Sequence, residues 1–182
     1  MHSWSLVRIC ALLIFSVASS AEEHQLSERS PAITLANDHV SFVPPPGFTP
    51  LSAEWLAAKY PNPGAPTNAI GNATRTTSIA YGVLNGMAPS ADLQALRKLQ
   101  MQGFSQLPKL KWLASEVRRI RNHEWVYQEF TAAAADQDIH NIVLLTVVED
   151  RVVLFNFNST TAEFERVEAA LRASIATITV SS

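Results

Sequence analysis

The chain has 182 residues, 14 basic and 16 acidic side chains, and a formal net charge of −2. That balance excludes the strongly basic surface that nucleic-acid binding requires. The only cysteine is Cys10, so a disulfide scaffold is excluded, and so is a site built from several thiolates.

Residues 1–21 read as a secretory signal peptide: Arg8 is followed by the apolar run 9–18, and Ser19 and Ala21 occupy the −3 and −1 positions of a cleavage site. The run is shorter than the roughly 20 residues that span a bilayer. Cys10 follows Arg8-Ile9 rather than a small residue, which is unlike a lipoprotein cleavage box. The expected product is soluble and exported, either periplasmic or secreted, with no membrane span after cleavage. It keeps 161 residues with 13 basic and 16 acidic side chains and no cysteine. That length makes one domain, able to bury about two-thirds of its unfolded surface without staples.

Residues 22–32 are polar and lack a period, as in a flexible lead-in. A single α+β domain is expected over 33–182. Residues 33–42 are weakly extended, with Val40 and Phe42 alternating about Ser41, and Pro44-Pro45-Pro46-Gly47 ends the stretch. A loop follows from Phe48. A short helix over 53–60 has Ser52 as its cap, and Pro61-Asn62-Pro63-Gly64 stops it. The stretch 78–84 reads as a strand, and Asn85-Gly86 as a turn. Ser90 is expected to cap a second helix carrying Leu93, Leu96, Leu99 and Gln100, with Gly103 at its end.

A strand over 116–121 has few apolar residues, which suits a sheet edge guarded by charge. Three strands follow as a meander over 124–131, 139–149 and 152–157. In the middle one, residues 142–148 read IVLLTVV, which fills both faces and places that strand inside the sheet. Thr160 and Glu163 have capping-box spacing for a last helix. Phe164, Val167, Leu171, Ile175 and Ile178 give it one apolar stripe.

Chemistry is harder to place. His24, His39, His123 and His140 lack metal-ligand spacing. A hairpin turn centred near Ala135 would put His140 opposite Phe130, far from His123, so both read as surface or capping histidines. Asp136 and Asp138 suit a turn and provide too few oxygens for calcium. Glu124 and Glu129 fall on opposite faces of one strand, so they form no paired-carboxylate site. There is no Gly-x-Ser-x-Gly elbow and no phosphate-cradling loop. No catalytic residue, metal or cofactor is assigned. Lys109, Lys111, Trp112, Arg118, Arg119 and Arg121 form the one local concentration of positive charge. Trp112, Arg118, Arg119 and Arg121 are therefore the candidate binding residues, for an acidic partner or anionic headgroups. Asn72 and Asn158 begin glycosylation triplets.

Residues Val40-Ser41-Phe42-Val43-Pro44-Pro45-Pro46-Gly47-Phe48, then Ile120 with Glu124-Trp125, Phe155-Asn156-Phe157 and the closing helix from Phe164 to Ile175, resemble the PsbP-like superfamily. The resemblance covers about residues 40–178. It implies an α/β/α sandwich: a mostly antiparallel sheet with helices packed on both faces. It also implies an adaptor, assembly factor or binding subunit rather than an enzyme, and carries over no binding residues. The expected function is an exported, non-catalytic binding or accessory protein of the cell envelope whose partner is another envelope protein. The alternatives are a small hydrolase with a dispersed Ser/His/acid site and a carrier of a small apolar ligand. Any site is expected on the less regular parts: 44–50, 60–77 or 109–121.

Overall fold

The computed structural model describes residues 30–59, 66, 68–84, 92–134 and 137–181. The expected signal peptide, the Pro61–Gly64 stop, the Asn85-Gly86 turn and the Ser90 cap lie outside the described residues.

The main sheet has seven strands in the order β3-β4-β5-β9-β8-β7-β6. They are β3 (Thr49–Pro50), β4 (Asn68–Gly71), β5 (Thr77–Leu84), β6 (Lys111–Ile120), β7 (His123–Ala133), β8 (Asp138–Val148) and β9 (Arg151–Thr160). Every pairing between them is antiparallel. The expected meander is β7-β8-β9. The apolar run makes β8 an interior strand, buried from His140 to Thr146. Its Val, Ile and Leu side chains suit a pleated surface covered on both sides.

Successive residues of these strands feed different clusters. Trp125 and Tyr127 of β7 join Leu144 and Phe155 in one, while Val126 joins Leu145 and Val152 in another. Because strand side chains alternate, the two clusters lie on opposite faces of the sheet. Phe164, Leu171 and Ile175 of the last helix, α3 (Thr161–Ala176), belong to the first cluster. Leu96 of α2 (Leu93–Phe104) belongs to the second. Each such buried side chain contributes about 1.5–3 kcal/mol. A short α1 (Ala53–Lys59) precedes β4.

Several boundaries differ from the sequence reading. Stretch 33–42 is not one strand but two, β1 (Ile33–Leu35) and β2 (Val40–Phe42), turned by Ala36, Asn37 and Asp38 at positive φ. Asp38 supports the turn by accepting from Thr34 Oγ1 at 2.6 Å. After α3 the chain forms β10 (Thr179–Val180), which pairs with β2 in a second, three-stranded sheet. The loop at Pro50 carries β3, which is tolerated because an edge strand does not need every N–H. The charged strand is longer than 116–121, running from Lys111 to Ile120 with a register shift between Trp112 and Ala114. Asp92 caps α2, with its side chain accepting from the Gln94 amide at 2.8 Å. That helix passes through Gly103 to end at Phe104. Thr160 caps α3 as expected, accepting from the Glu163 amide at 3.2 Å.

Candidate functional site: an arginine cleft between β6 and α3

The end of β6 and the C-terminal half of α3 enclose a cleft of about 310 Å³. It is lined by Arg118, Arg119, Ile120, Arg121, Tyr127, Arg172, Ile175 and Ala176. Antiparallel register sets the arginines. Arg118 lies opposite Trp125 and Ile120 opposite His123, while Arg119 lies opposite Glu124. Arg118 and Ile120 therefore face α3, and Arg119 sits on the strand's other face at the rim. Arg121 occupies the tight turn to β7 at φ 53°. Asn122 ties that turn to the second sheet by donating to the Val180 carbonyl at 2.7 Å.

The arginines are not equivalent. The Arg118 guanidinium lies 3.8 Å over the Tyr127 ring and donates through Nε to Glu116 at 2.9 Å. Arg172 reaches back from α3 to Glu168 at 2.7 Å, to the Tyr127 hydroxyl at 2.9 Å and to Glu129 at 2.9 Å. Among the described residues Arg119 donates only to the Asn122 carbonyl, at 3.4 Å. Neither Arg119 nor Arg121 has an ion-pair partner among the described residues. Two guanidinium groups thus line the cleft with no carboxylate of their own among the described residues.

Beneath the cleft is a buried polar network. Glu129 is 8% exposed and also accepts from the Tyr127 hydroxyl at 2.6 Å and from His140 Nε2 at 2.8 Å. Burial alone would raise its pKa. The hydrogen bonds from His140, Tyr127 and Arg172, with the charge of Arg172, outweigh burial and hold it at about 2. Burial, and then the neighbouring Glu129, push the Tyr127 hydroxyl up. Burial works against the charge on Arg172, but bonds to Glu168, Glu129 and Tyr127 raise its pKa further. The His140 ring stacks on Phe164, with centroids 3.4 Å apart. A carboxylate so saturated with donors fastens α3 to the sheet and is a poor proton acceptor near neutral pH.

Of the four sequence candidates, three arginines meet at this cleft and Trp112 does not. Trp112 packs against Phe104 and Phe130 on the α2 side, with centroids 6.4 and 5.1 Å away. His140 corrects the surface reading: it is 7% exposed and bonded to Glu129. Its register partner is Thr131, not Phe130. His123 bonds to Thr146 at 2.9 Å, and burial lowers its pKa against the opposing pull of Glu124. His39 pairs with Glu149 at 2.9 Å. Among the described residues no serine hydroxyl is bonded to a histidine ring. No group of three or more His, Cys, Asp or Glu among them could hold a metal ion. Arg172 and the Glu129 network were absent from the sequence candidates. Arg172 lies off the apolar stripe of α3, and no local sequence signal sets it apart from the other charged residues there.

No family model matches the chain, and no curated protein matches it. Solved structures do. The cyanobacterial PsbP protein CyanoP from Synechocystis is 11% identical, with a TM-score of 0.59 over 85% of this chain and 94% of that one. LpqN of Mycobacterium tuberculosis, described as involved in cell envelope biogenesis, is 8% identical, with a TM-score of 0.58 over 87% and 94%. The Saccharomyces cerevisiae Ran-binding protein Mog1p is 15% identical, with a TM-score of 0.53 over 85% and 96%. The chain has the PsbP-like fold. The α+β class with a mostly antiparallel sheet is therefore as the sequence resemblance implied. Among the described residues no helix is long and apolar enough to cross a membrane.

Proposed function

We propose that the chain is an exported, non-catalytic binding or accessory protein of the cell envelope, and that the arginine cleft docks an acidic segment of a protein partner. The observation that carries this reading is the convergence of Arg118, Arg119, Arg121 and Arg172 on one cleft, two of them without a carboxylate partner among the described residues. Guanidinium groups bind carboxylates in paired, directional hydrogen bonds. Ile120, Ile175 and Ala176 add apolar walls, and arginine beside apolar and aromatic surface is typical of protein interfaces. The saturated state of Glu129 supports binding over acid–base chemistry. Export rests on the signal-peptide pattern. The named roles of LpqN and Mog1p agree with an accessory function by analogy of fold. The α/β/α layering, with α2 and α3 on opposite faces, is supported by their separate clusters.

The test is a pull-down from envelope extract with residues 22–182, comparing the wild type with Arg119→Glu/Arg121→Glu. The proposal expects a partner lost on charge reversal and weakened by added salt. An unchanged set of partners would remove the cleft from the account.

A further inference from the structure

Among the described residues β6 ends the seven-strand order and pairs with β7 alone. Ile120 and His123 flank a two-residue turn, so that pair exchanges both of its backbone hydrogen bonds. Alternation along the strand then bonds Glu116, Arg118 and Ile120 to β7 and turns the N–H and C=O groups of Ser115, Val117 and Arg119 out of the sheet. Arg97 Nη1, from α2, donates to the Ser115 carbonyl at 3.1 Å, which agrees with that direction and occupies that acceptor. The register shift between Trp112 and Ala114 interrupts the strand further back. The open edge is therefore the stretch from Val117 to Arg119.

Such an edge recruits an extended chain through its unpaired backbone groups, and the side chains beside it select which chain. Arg118 and Arg119 are both exposed and lie on opposite faces of the strand. Two consecutive acidic residues in an added strand also point to opposite faces, so each meets one guanidinium. Half-buried Val117 suits a β-branched neighbour, and exposed Glu116 repels an acid. We infer that the acidic segment docks as an extra antiparallel strand on β6, with consecutive acids opposite Arg119 and Arg118, a β-branched residue opposite Val117 and a neutral one opposite Glu116. This rests on the arginine cleft as an acidic docking site and adds the conformation and sequence pattern of what docks there. β6 carries Lys111, Arg118 and Arg119 against Glu116, so a second copy of the chain meets its own excess of positive charge and fits less well.

The probe is a labelled peptide, Thr-Val-Glu-Glu-Val-Thr-Val, and two isomers of it, each with one N-methyl group. Methylation at the valine after the glutamates blocks an amide that faces Val117. Methylation at the second glutamate alters an amide that faces away, with charge and composition unchanged. By fluorescence anisotropy the first isomer should bind at least about tenfold more weakly than the parent peptide, through a lost hydrogen bond and a methyl group wedged between strands. The second should bind within about twofold of it. In nitrogen-15 spectra of the protein, the Val117 and Arg119 amides should become protected from hydrogen exchange only when the peptide is bound. Equal binding of the two isomers, with Arg119→Glu/Arg121→Glu still weakening the parent peptide, would overturn strand addition and leave acidic docking standing. No saturable binding of the parent peptide by wild type would overturn both. Val117 and Arg119 amides already protected in the free protein by a self-paired dimer, or unprotected in the complex, would also overturn strand addition.

Discussion

Replacing Glu129 by Gln keeps the shape of the side chain and removes its charge. The wild-type carboxyl is held at about 2 rather than 4.5, a difference of about 2.5 pH units. At 1.36 kcal/mol per unit that is about 3 kcal/mol. The group is 8% exposed, so solvent screening takes little from this figure. Its folded pKa lies below its unfolded one, so the stabilisation is fully present above pH 4.5 and is lost as pH falls towards 2. A protonated Glu129 resembles Gln. The gap between wild type and Glu129→Gln should therefore be about 3 kcal/mol at pH 6 and shrink towards zero near pH 2. Urea unfolding followed by circular dichroism across that range measures it, and in thermal melts the pH 6 gap corresponds to about 6–12 °C. A gap that does not change with pH, or none at pH 6, would refute the network as described.

Further predictions concern the same network and the polar patch under α1. Arg172→Met leaves Glu129 charged and buried without its guanidinium, which should cost about 3–5 kcal/mol by urea unfolding. Lys59 donates to Ser78 at 2.9 Å and Asn158 at 2.8 Å, and burial lowers its pKa to about 8. In carbon-13 dimethyl-lysine spectra one resonance should therefore titrate near 8, and stability should rise with pH between 8 and 10.5, where only the unfolded state still holds that proton. Asn158 is 6% exposed and donates to Asn141 at 2.8 Å. Asn158→Ala should cost about 1–3 kcal/mol by leaving that buried acceptor unmet. The same burial should leave Asn158 unmodified when folded protein is presented to a glycosylating enzyme, checked by intact mass.

Much of the fold was legible because its signals are local. The run 142–148 announced an interior strand, and the stripe from Phe164 to Ile178 announced the closing helix. The small β1-β2-β10 sheet was not legible. Its strands are two or three residues long, and β2 meets β10 through contacts such as Ser41 to Thr179, 138 residues apart. The site was half legible. Arg118, Arg119 and Arg121 are neighbours in sequence, but Arg172 joins them only when α3 docks. Trp112 and Arg118, six residues apart, would share a face on a regular strand. The bulge after Trp112 puts Trp112 against Phe130 and Arg118 against Tyr127 on opposite sides. A turn centred half a residue later than expected moves His140 from the face of Phe130 to that of Glu129, because a one-residue slip in register exchanges the faces. That slip concealed the pairing of His140 with Glu129.

The arginine cleft is tested most directly by fluorescence anisotropy with a labelled short poly-glutamate peptide, titrated with wild type and with Arg119→Glu/Arg121→Glu at low and high salt. The account predicts saturable binding by wild type that salt weakens and that the double reversal reduces at least tenfold, with the thermal midpoint unchanged. Equal affinity for the two proteins would contradict it.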